Sequence, residues 1–228
     1  MDRVFHNYPV VLEYFTPESY LDIGACKGHA IPFILEQLPS LEHVEMIEAC
    51  ELHRLDLKKV SKEYRIPYYI EVLSDEIKEV TFYLDGKGAE STGPGNSYYL
   101  EDTHHYLNTP SEIRITNTLD NIYNKNNLWK NGFDLVKLDT QGSELDIIKG
   151  GKELFKKVKG VIIEENIYRY NFGAALHSEV REYMESIGFE LVALLDEKNY
   201  TITNREGQTA PHHEIDTLYI RKELIIKQ

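Results

Sequence analysis

The sequence predicts an α/β fold built on a doubly wound, mostly parallel sheet. Short apolar runs alternate with helical patterns in the first third of the chain, and this alternation resumes near residue 134. Parallel strands need crossover connections, so the alternation indicates β-α-β units. A turn with two glycines, at residues 24–28, joins the first apolar run to an amphipathic helix. Such a turn is typical of a Rossmann-like sheet, in which ligands bind at the carboxyl ends of the strands.

Three helices and three strands are predicted before residue 75. Pro17 separates the leading helix from the first strand, and Pro39 ends the next helix, because proline cannot continue a helix interior. The strands are short apolar runs that end beside polar residues. The helices are predicted at residues 4–15, 30–38 and 51–64, and the strands at Ser19–Ile23, 43–47 and 68–72.

The middle of the chain departs from this pattern. A strand at residues 79–84 is followed by a stretch rich in Gly, Ser, Thr, Asn and Tyr, which predicts an insertion or mobile loop around residues 85–112. Loops of this length within a compact domain often bind ligands. A strand at residues 113–116 and a short helix from Thr118 towards Asn126 are predicted next.

The regular alternation then continues to the end of the chain. A length of 228 residues suits one compact α/β domain over residues 1–228, without disulfides or metals to stabilise it. The remaining strands are predicted at residues 134–138, 158–164, 189–195 and 216–221, and the helices at residues 145–150 and 177–187.

The composition argues against several kinds of partner. A net charge of −13, without a dense basic cluster, disfavours nucleic acid. No uncharged run reaches the roughly 18 apolar residues of a membrane span, and the first 15 residues lack the apolar core of a signal peptide. Cys26 and Cys50 are the only cysteines, so no disulfide framework is expected. We expect a cytoplasmic protein without membrane insertion, for which a homo-oligomer stays open.

Acidic and small residues lie where the first two strands end. Asp22, Gly24 and Gly28 belong to the first strand and its turn, and Glu48 follows 26 residues after Asp22. An acid at about this offset often binds ribose hydroxyls. The glycine spacing differs from the Gly-x-Gly-x-x-Gly pattern of diphosphate sites, and the nearby acid suits a cationic ligand. The two acids together indicate a nucleoside site.

Two further polar turns are predicted at the same edge of the sheet. Ser74 and Asp75 follow the third strand and could contact an adenine ring. A denser polar group follows the strand at residues 134–138, where buried polar groups are costly unless they face a cleft or form hydrogen bonds. This candidate catalytic group comprises Asp139, Gln141, Gly142 and Glu144.

The motifs together resemble a known enzyme family. LDIGACKGHA, VEMIEA, VLSDE, ITNTLDNIY and above all FDLVKLDTQGSELDIIKGG are similar to the FkbM-type methyltransferases, class I enzymes that use S-adenosylmethionine. The resemblance covers roughly residues 20–192. It implies a seven-stranded Rossmann-like sheet with one antiparallel edge strand, and methyl transfer to oxygen, commonly a hydroxyl of a saccharide, glycoconjugate or natural product.

The resemblance also assigns roles to individual residues. It implies that the methionine end of the cofactor lies near the first turn, the ribose near Glu48, the adenine near Ser74 and Asp75, and the transferred methyl near Asp139. The family usually has glutamate where this chain has Gln141. The residues assigned to the methionine end are Asp22, Gly24 and Gly28, and Ala25 in the same turn is also expected to bind the cofactor.

Methyl transfer to a hydroxyl requires alignment of the acceptor and removal of its proton. Asp139 or a histidine of the pairs His104-His105 and His212-His213 is a candidate base, and the sequence does not distinguish the two pairs. The candidate catalytic residues are Asp139, Gln141 and His212. The acceptor is expected to contact Glu144, Glu164 and Tyr168.

A metal requirement is not expected. Hard oxygen ligands for Mg²⁺ are available, but the sequence contains no HExxH motif and no Cys/His cluster. The oxygen ligands are Asp139, Glu164, Glu165 and Asn166.

Two other functions fit parts of the sequence. A nicotinamide-dependent oxidoreductase would share the sheet and Glu48, but its Tyr-x-x-x-Lys pair would be Tyr83 and Lys87, which span a predicted turn instead of a helix. A non-catalytic module that binds a nucleoside or a partner protein is favoured only by Gln141. Binding of S-adenosylmethionine and methyl turnover distinguish the three functions.

Overall fold

The computed structural model describes residues 7–84, 95–126 and 132–225. The first three residues of the predicted leading helix, residues 85–94 of the predicted insertion, and Lys87 lie outside these ranges. The described strands are β1 (Ser19–Ile23), β2 (His43–Glu48), β3 (Tyr68–Ile70), β4 (Glu79–Tyr83), β5 (Ser111–Ile115), β6 (Leu135–Leu138), β7 (Gly160–Asn166), β8 (Phe189–Thr203) and β9 (Thr209–Arg221). The α-helices are α1 (Ile31–Gln37), α2 (Arg54–Tyr64), α3 (Leu119–Asn126), α4 (Glu144–Gly150), α5 (Lys152–Phe155) and α6 (His177–Ser186).

The main sheet has seven strands in the order β3-β2-β1-β6-β7-β9-β8, as the predicted fold class requires. Four neighbouring pairs are parallel: β3 with β2, β2 with β1, β1 with β6, and β6 with β7. By contrast, β9 is antiparallel to both β7 and β8. The antiparallel strand was expected at the edge, and this detail is wrong. Because β8 and β9 form a hairpin, β9 folds back between β7 and β8 and leaves β8 at the edge.

Helices cover both faces of the sheet, and the alternation of side chains along β1 shows how. Leu21 and Ile23 belong to a core with residues of α3, α4 and α6, whereas Tyr20 belongs to a second core with residues of α1 and α2. Successive side chains of a strand point to opposite faces, so the strands of the main sheet supply both cores. The doubly wound arrangement is confirmed.

Several predicted elements differ in extent from those observed. The predicted leading helix contains a 3₁₀ helix at Tyr8–Glu13, and the predicted helix at residues 51–64 begins as a 3₁₀ turn, Glu51–His53, before α2. The third strand ends at Ile70 instead of residue 72. Within the described segments, no helix has the length and hydropathy needed to cross a membrane.

The part of the predicted insertion that the structure describes is attached to the rest of the fold. β4 pairs with β5 in a separate antiparallel two-stranded sheet. The Asp102 N–H donates to the Tyr170 carbonyl, and the Phe172 N–H donates to the Leu100 carbonyl at 2.9 Å. These backbone bonds hold residues 95–103 beside the loop after β7.

The last two strands are much longer than predicted. They were expected at residues 189–195 and 216–221, but they span Phe189–Thr203 and Thr209–Arg221. In the added part, both faces of β8 carry polar residues, so no apolar alternation marks it as a strand. The resulting hairpin places Lys198 opposite Glu214 and Tyr200 opposite His212.

Candidate active site

A cavity of about 620 Å³ lies at the carboxyl ends of β1, β2 and β6. The chain order reverses at this point, because β1 lies between β2 and β6. Ligands of open α/β sheets bind at such a switch point. We call this space the cofactor cavity. Its walls include Asp22, Gly24, Ala25, Cys26, Glu48, Glu71, Val72, Leu73, Asn96, Tyr98, Lys137, Asp139 and Gln141.

Gly24 allows the turns after β1 and β6 to approach each other. Its φ is +82°, and a Cβ at this position would overlap the backbone carbonyl of Asp139. Only glycine combines this conformation with so close a backbone contact. The Gly24 and Ala25 N–H groups both donate to the Ile47 carbonyl, at 2.9 and 3.1 Å. The predicted glycine turn is therefore part of the cavity wall itself.

Glu48 is bound by the backbone on both of its carboxylate oxygens. The Cys26 N–H donates to Oε2 and the Cys50 N–H donates to Oε1, each at 2.7 Å. Burial raises the pKa of Glu48 to about 7, although these N–H groups act in the opposite direction. A carboxylate has about four acceptor positions, so a bound ligand's hydroxyls can still be accepted. The acid is positioned rigidly in the cofactor cavity.

A buried lysine lies between two of the predicted acids. Lys137 Nζ is 2.9 Å from Asp139 Oδ2. Burial lowers the pKa of Lys137, but Asp139 and Asp22 outweigh this effect and raise it above its ordinary value. Burial raises the pKa of Asp139, yet Lys137 and a hydrogen bond with Glu164 bring it below its ordinary value. Asp139 is therefore a carboxylate at neutral pH.

Lys137 was not predicted as a site residue, although the sequence contains a signal for it. It is the only charged residue in the buried run Leu135–Leu138. Charged side chains are rarely buried without a partner. A lysine within an apolar strand that ends in an acid therefore indicates a buried ion pair.

A second cavity of about 400 Å³ adjoins the cofactor cavity. The two share Ala30, Lys137, Asp139 and Gln141. We call the second space the acceptor-side cavity. Its other walls include Glu101, Thr103, Glu164, Tyr170, Asp196, Lys198, Tyr200, Ile202, His212 and Glu214.

Gln141 connects the two cavities through its side-chain amide. Its Nε2 donates to Glu164 Oε2 at 2.7 Å and to Asp139 Oδ1 at 3.2 Å, and its Oε1 accepts from the Tyr170 hydroxyl at 3.2 Å. A glutamate carboxylate at this position would have no hydrogen to donate to the carboxyl groups of Asp139 and Glu164. The neutral amide is therefore suited to its surroundings.

The structure separates the predicted histidines. His212 is 2% exposed and lies between the rings of Tyr170 and Tyr200, with centroids 4.2 and 4.5 Å away. His213 points elsewhere and contacts Glu197 at 2.7 Å. His104 and His105 are exposed and belong to neither cavity wall. His212 is the predicted histidine that reaches a cavity.

Five other predicted contact residues lie outside both cavity walls: Gly28, Ser74, Asp75, Glu144 and Tyr168. Ser74 is buried and donates to Asp75, which pairs with Lys78. The wall beside them is formed instead by Glu71, Val72 and Leu73. The Glu144 carboxylate accepts from the N–H groups of Thr140 and Gly142, which stabilises the turn after β6, and Tyr168 is 48% exposed.

The candidate magnesium ligands do not converge. Glu164 faces the acceptor-side cavity, but Glu165 points to the other face of β7 and contacts His177. Among the described residues, no group of three or more His, Cys, Asp or Glu side chains is placed to hold a metal ion.

The strand order, the cavity at the switch point and the acid at the end of β2 are those of a Rossmann-like fold with a ligand site at the switch point. The model of the FkbM methyltransferase domain matches residues 22–191. The chain belongs to this family, and its cofactor is S-adenosylmethionine. The residues present fit that cofactor, because the cofactor cavity combines a glycine turn without room for a side chain and a buried carboxylate for hydroxyls.

Solved structures provide further comparisons. The FkbM methyltransferase from Methylobacillus flagellatus KT is 17% identical, with a TM-score of 0.49, and the match covers 89% of this chain and 43% of that one. Precorrin-6y C5,15-methyltransferase from Geobacter metallireducens is 11% identical, with a TM-score of 0.46 and coverage of 90% and 78%. TrmK from M. capricolum, bound to S-adenosylhomocysteine, is 12% identical, with a TM-score of 0.46 and coverage of 89% and 62%. No curated protein matches the sequence.

Glu48→Gln is expected to weaken S-adenosylmethionine binding about thirtyfold. The amide is uncharged and can accept on one oxygen only, so we expect the loss of one charge-assisted hydrogen bond to a ribose hydroxyl, which costs about 2 kcal/mol. Isothermal titration measures the change in Kd. Glu51→Gln, in an exposed pair with Arg54, is the control. An unchanged Kd for Glu48→Gln would place the ribose elsewhere.

Proposed function

We propose that the enzyme transfers a methyl group to a hydroxyl of a small polar acceptor, of the saccharide, glycoconjugate or natural-product type, bound in the acceptor-side cavity. The observation that carries this proposal is the junction of the two cavities at Lys137, Asp139 and Gln141. An acceptor bound in the acceptor-side cavity would lie next to the cofactor beside the Asp139 carboxylate. This is the arrangement that alignment of a hydroxyl requires.

The walls of the acceptor-side cavity suit a hydroxylated molecule. Thr103, Tyr170 and Lys198 carry hydrogen-bond donors, and Glu101, Glu164 and Glu214 carry acceptors. Tyr200 contributes a half-exposed ring that can cover the apolar face of a sugar. A cavity of about 400 Å³ holds a small molecule of this kind.

S-adenosylmethionine supplies a methyl group already activated on a sulfonium. The chain has to hold the acceptor oxygen in line and remove its proton. Asp139, held by Lys137 and Gln141, accepts a hydrogen bond from the hydroxyl and orients it. Because its pKa is held low, Asp139 is a weak base.

His212 is the better candidate to receive the proton. Its Nδ1 has no hydrogen-bond partner among the described residues, and its Nε2 lies 3.2 Å from Glu214 Oε2. An imidazole beside a carboxylate can gain a proton and be stabilised as the cation. His212 therefore acts as the base, and Glu214 stabilises the charge that forms.

The test is a methyl-transfer assay with sugars, amino sugars and cyclic polyols as acceptors, followed by NMR to locate the methyl group. We expect methylation of a hydroxyl, and a loss of about a hundredfold in kcat for His212→Asn, the scale of general-base catalysis. His213→Asn, whose side chain contacts Glu197 outside the cavity, should retain the rate. A methyl group on carbon or nitrogen would contradict O-methylation, and full activity of His212→Asn would exclude it as the base.

A further inference from the structure

The acceptor-side cavity carries an excess of carboxyl groups. Two lysines, Lys137 and Lys198, line it together with five acids. Both lysines are already paired: Lys137 with Asp139 at 2.9 Å, and Lys198 with Glu164 at 3.2 Å and with Glu214 at 3.6 Å. More negative than positive charge therefore faces the bound acceptor. The five acids are Glu101, Asp139, Glu164, Asp196 and Glu214.

The titration of neighbouring groups reflects the same excess. Burial raises the pKa of Glu164, and the charges of Asp139 and Glu214 raise it further. Beneath the cavity, burial and Asp139 raise the pKa of Asp216 to about 7. Burial and nearby negative charge both shift carboxyl groups in this direction, whereas His212 and Lys198 hold the pKa of Glu214 below its ordinary value despite its burial. Even with Glu164 protonated and Glu101 left aside, three acids, Asp139, Asp196 and Glu214, face two lysines.

The hairpin of β8 and β9 supplies one wall of this cavity. Asp196, Lys198 and Tyr200 alternate along β8 on the cavity side, and His212 and Glu214 lie opposite them on β9. Asp196 forms no ion pair with any lysine or arginine that the structure describes; its Oδ1 accepts from the Glu197 N–H at 2.9 Å. An unneutralised carboxylate therefore lies in the cavity wall.

Aromatic groups and an unpaired imidazole nitrogen complete the wall. The rings of Tyr170 and Tyr200 flank His212, which is 2% exposed. Its Nδ1 has no partner within the described part of the chain, although buried polar atoms are normally hydrogen-bonded. Ring faces attract cations. The cavity wall thus combines negative charge, aromatic rings and a buried imidazole.

We propose that the acceptor carries a protonated amine beside its hydroxyl, as an amino sugar or aminocyclitol does, and that Asp196 and Glu214 bind this ammonium group. The proposal rests on the proposed function, since it concerns the acceptor of the same site. A neutral sugar would leave the excess negative charge uncompensated, whereas an ammonium group neutralises part of it and donates up to three hydrogen bonds.

The experiment compares three ligands that share one ring: glucosamine, N-acetylglucosamine and glucose. Binding to the protein saturated with S-adenosylhomocysteine is measured by isothermal titration at pH 7, and methyl transfer is measured with S-adenosylmethionine. We expect glucosamine to bind at least about tenfold more tightly than the other two, since one partly buried ion pair is worth about this factor.

Variants locate the preference within the cavity. Asp196→Asn is expected to reduce the preference for glucosamine about tenfold and to leave the affinity for glucose nearly unchanged. Glu214→Gln is expected to reduce the preference as well, together with the rate of methyl transfer to every acceptor, because Glu214 also supports His212. Glu197→Gln is the matched control, because Glu197 is next to Asp196 but points to the other face of β8 and contacts His213. Thermal unfolding of each variant checks that the fold is retained.

The outcomes distinguish this proposal from O-methylation itself. Equal affinities for the three ligands, or no binding of any of them, would overturn the amine proposal. Methylation of a hydroxyl on all three at equal rates would overturn it while supporting O-methylation. Preferential binding of glucosamine with methylation at its nitrogen would support the cation site and contradict O-methylation.

Discussion

Asp139→Asn is expected to lower kcat about a thousandfold and to change the Kd of S-adenosylmethionine by less than about threefold. Asp139 lies where the two cavities meet, and its pKa is held below the ordinary value, so it is ionised whenever the acceptor binds. Asparagine preserves the shape but not the charge that orients the hydroxyl. Losses of this size are typical when a residue that positions or moves a proton is removed.

The comparison needs single-turnover rates and titration on the same preparations. Asp56→Asn is the control, since its exposed carboxylate pairs with Lys59 on α2, outside both cavities. Because Asp139 also neutralises Lys137, thermal unfolding separates a loss of rate from a loss of fold. If the folded variant keeps kcat within tenfold of the wild type, Asp139 does not lie beside the reacting atoms.

Lys137→Met is expected to lower the free energy of unfolding by about 3–5 kcal/mol. Lys137 is 6% exposed, and its ammonium group compensates two acids, Asp22 and Asp139. Removal of one partner of a buried ion pair leaves uncompensated charge in the protein interior, and the cost is of this size. Methionine fills a similar volume, so the lost charge dominates over any cavity. Urea denaturation with a fixed m-value measures the loss.

A double variant separates charge from packing. Lys137→Met combined with Asp139→Asn should be less destabilised than Lys137→Met alone, since one of the two unpaired acids is then neutral. Lys156→Met, which removes an exposed pair with Glu153, is the control and should cost less than about 1 kcal/mol. If Lys137→Met loses no more than this control, Lys137 does not stabilise the acids.

The sequence by itself determined the architecture and the cofactor end of the site. Alternating apolar strands and amphipathic helices predict a parallel sheet, because few other arrangements bury both patterns. The bounds of β1 agree with the prediction to the residue, and β2 ends at the predicted acid, Glu48. Gly24 and Glu48 could be found because each follows its strand directly, where parallel topology requires a common edge.

The tertiary structure decided how the acceptor side is assembled. Glu164 and His212 were predicted separately, but they and Glu101 are far apart in the chain, and no local pattern shows that the three line one cavity. The full length of the β8–β9 hairpin could not be predicted from the sequence. Beyond residue 195, β8 is polar on both faces and lacks the apolar alternation by which strands are recognised. The role of Glu144 could not be predicted either. The sequence does not distinguish a glutamate that accepts hydrogen bonds from its own turn from one that contacts a substrate. Strands, helices and turns follow from the residues of one short segment. A cavity depends instead on which side chains, distant in the sequence, the fold brings together.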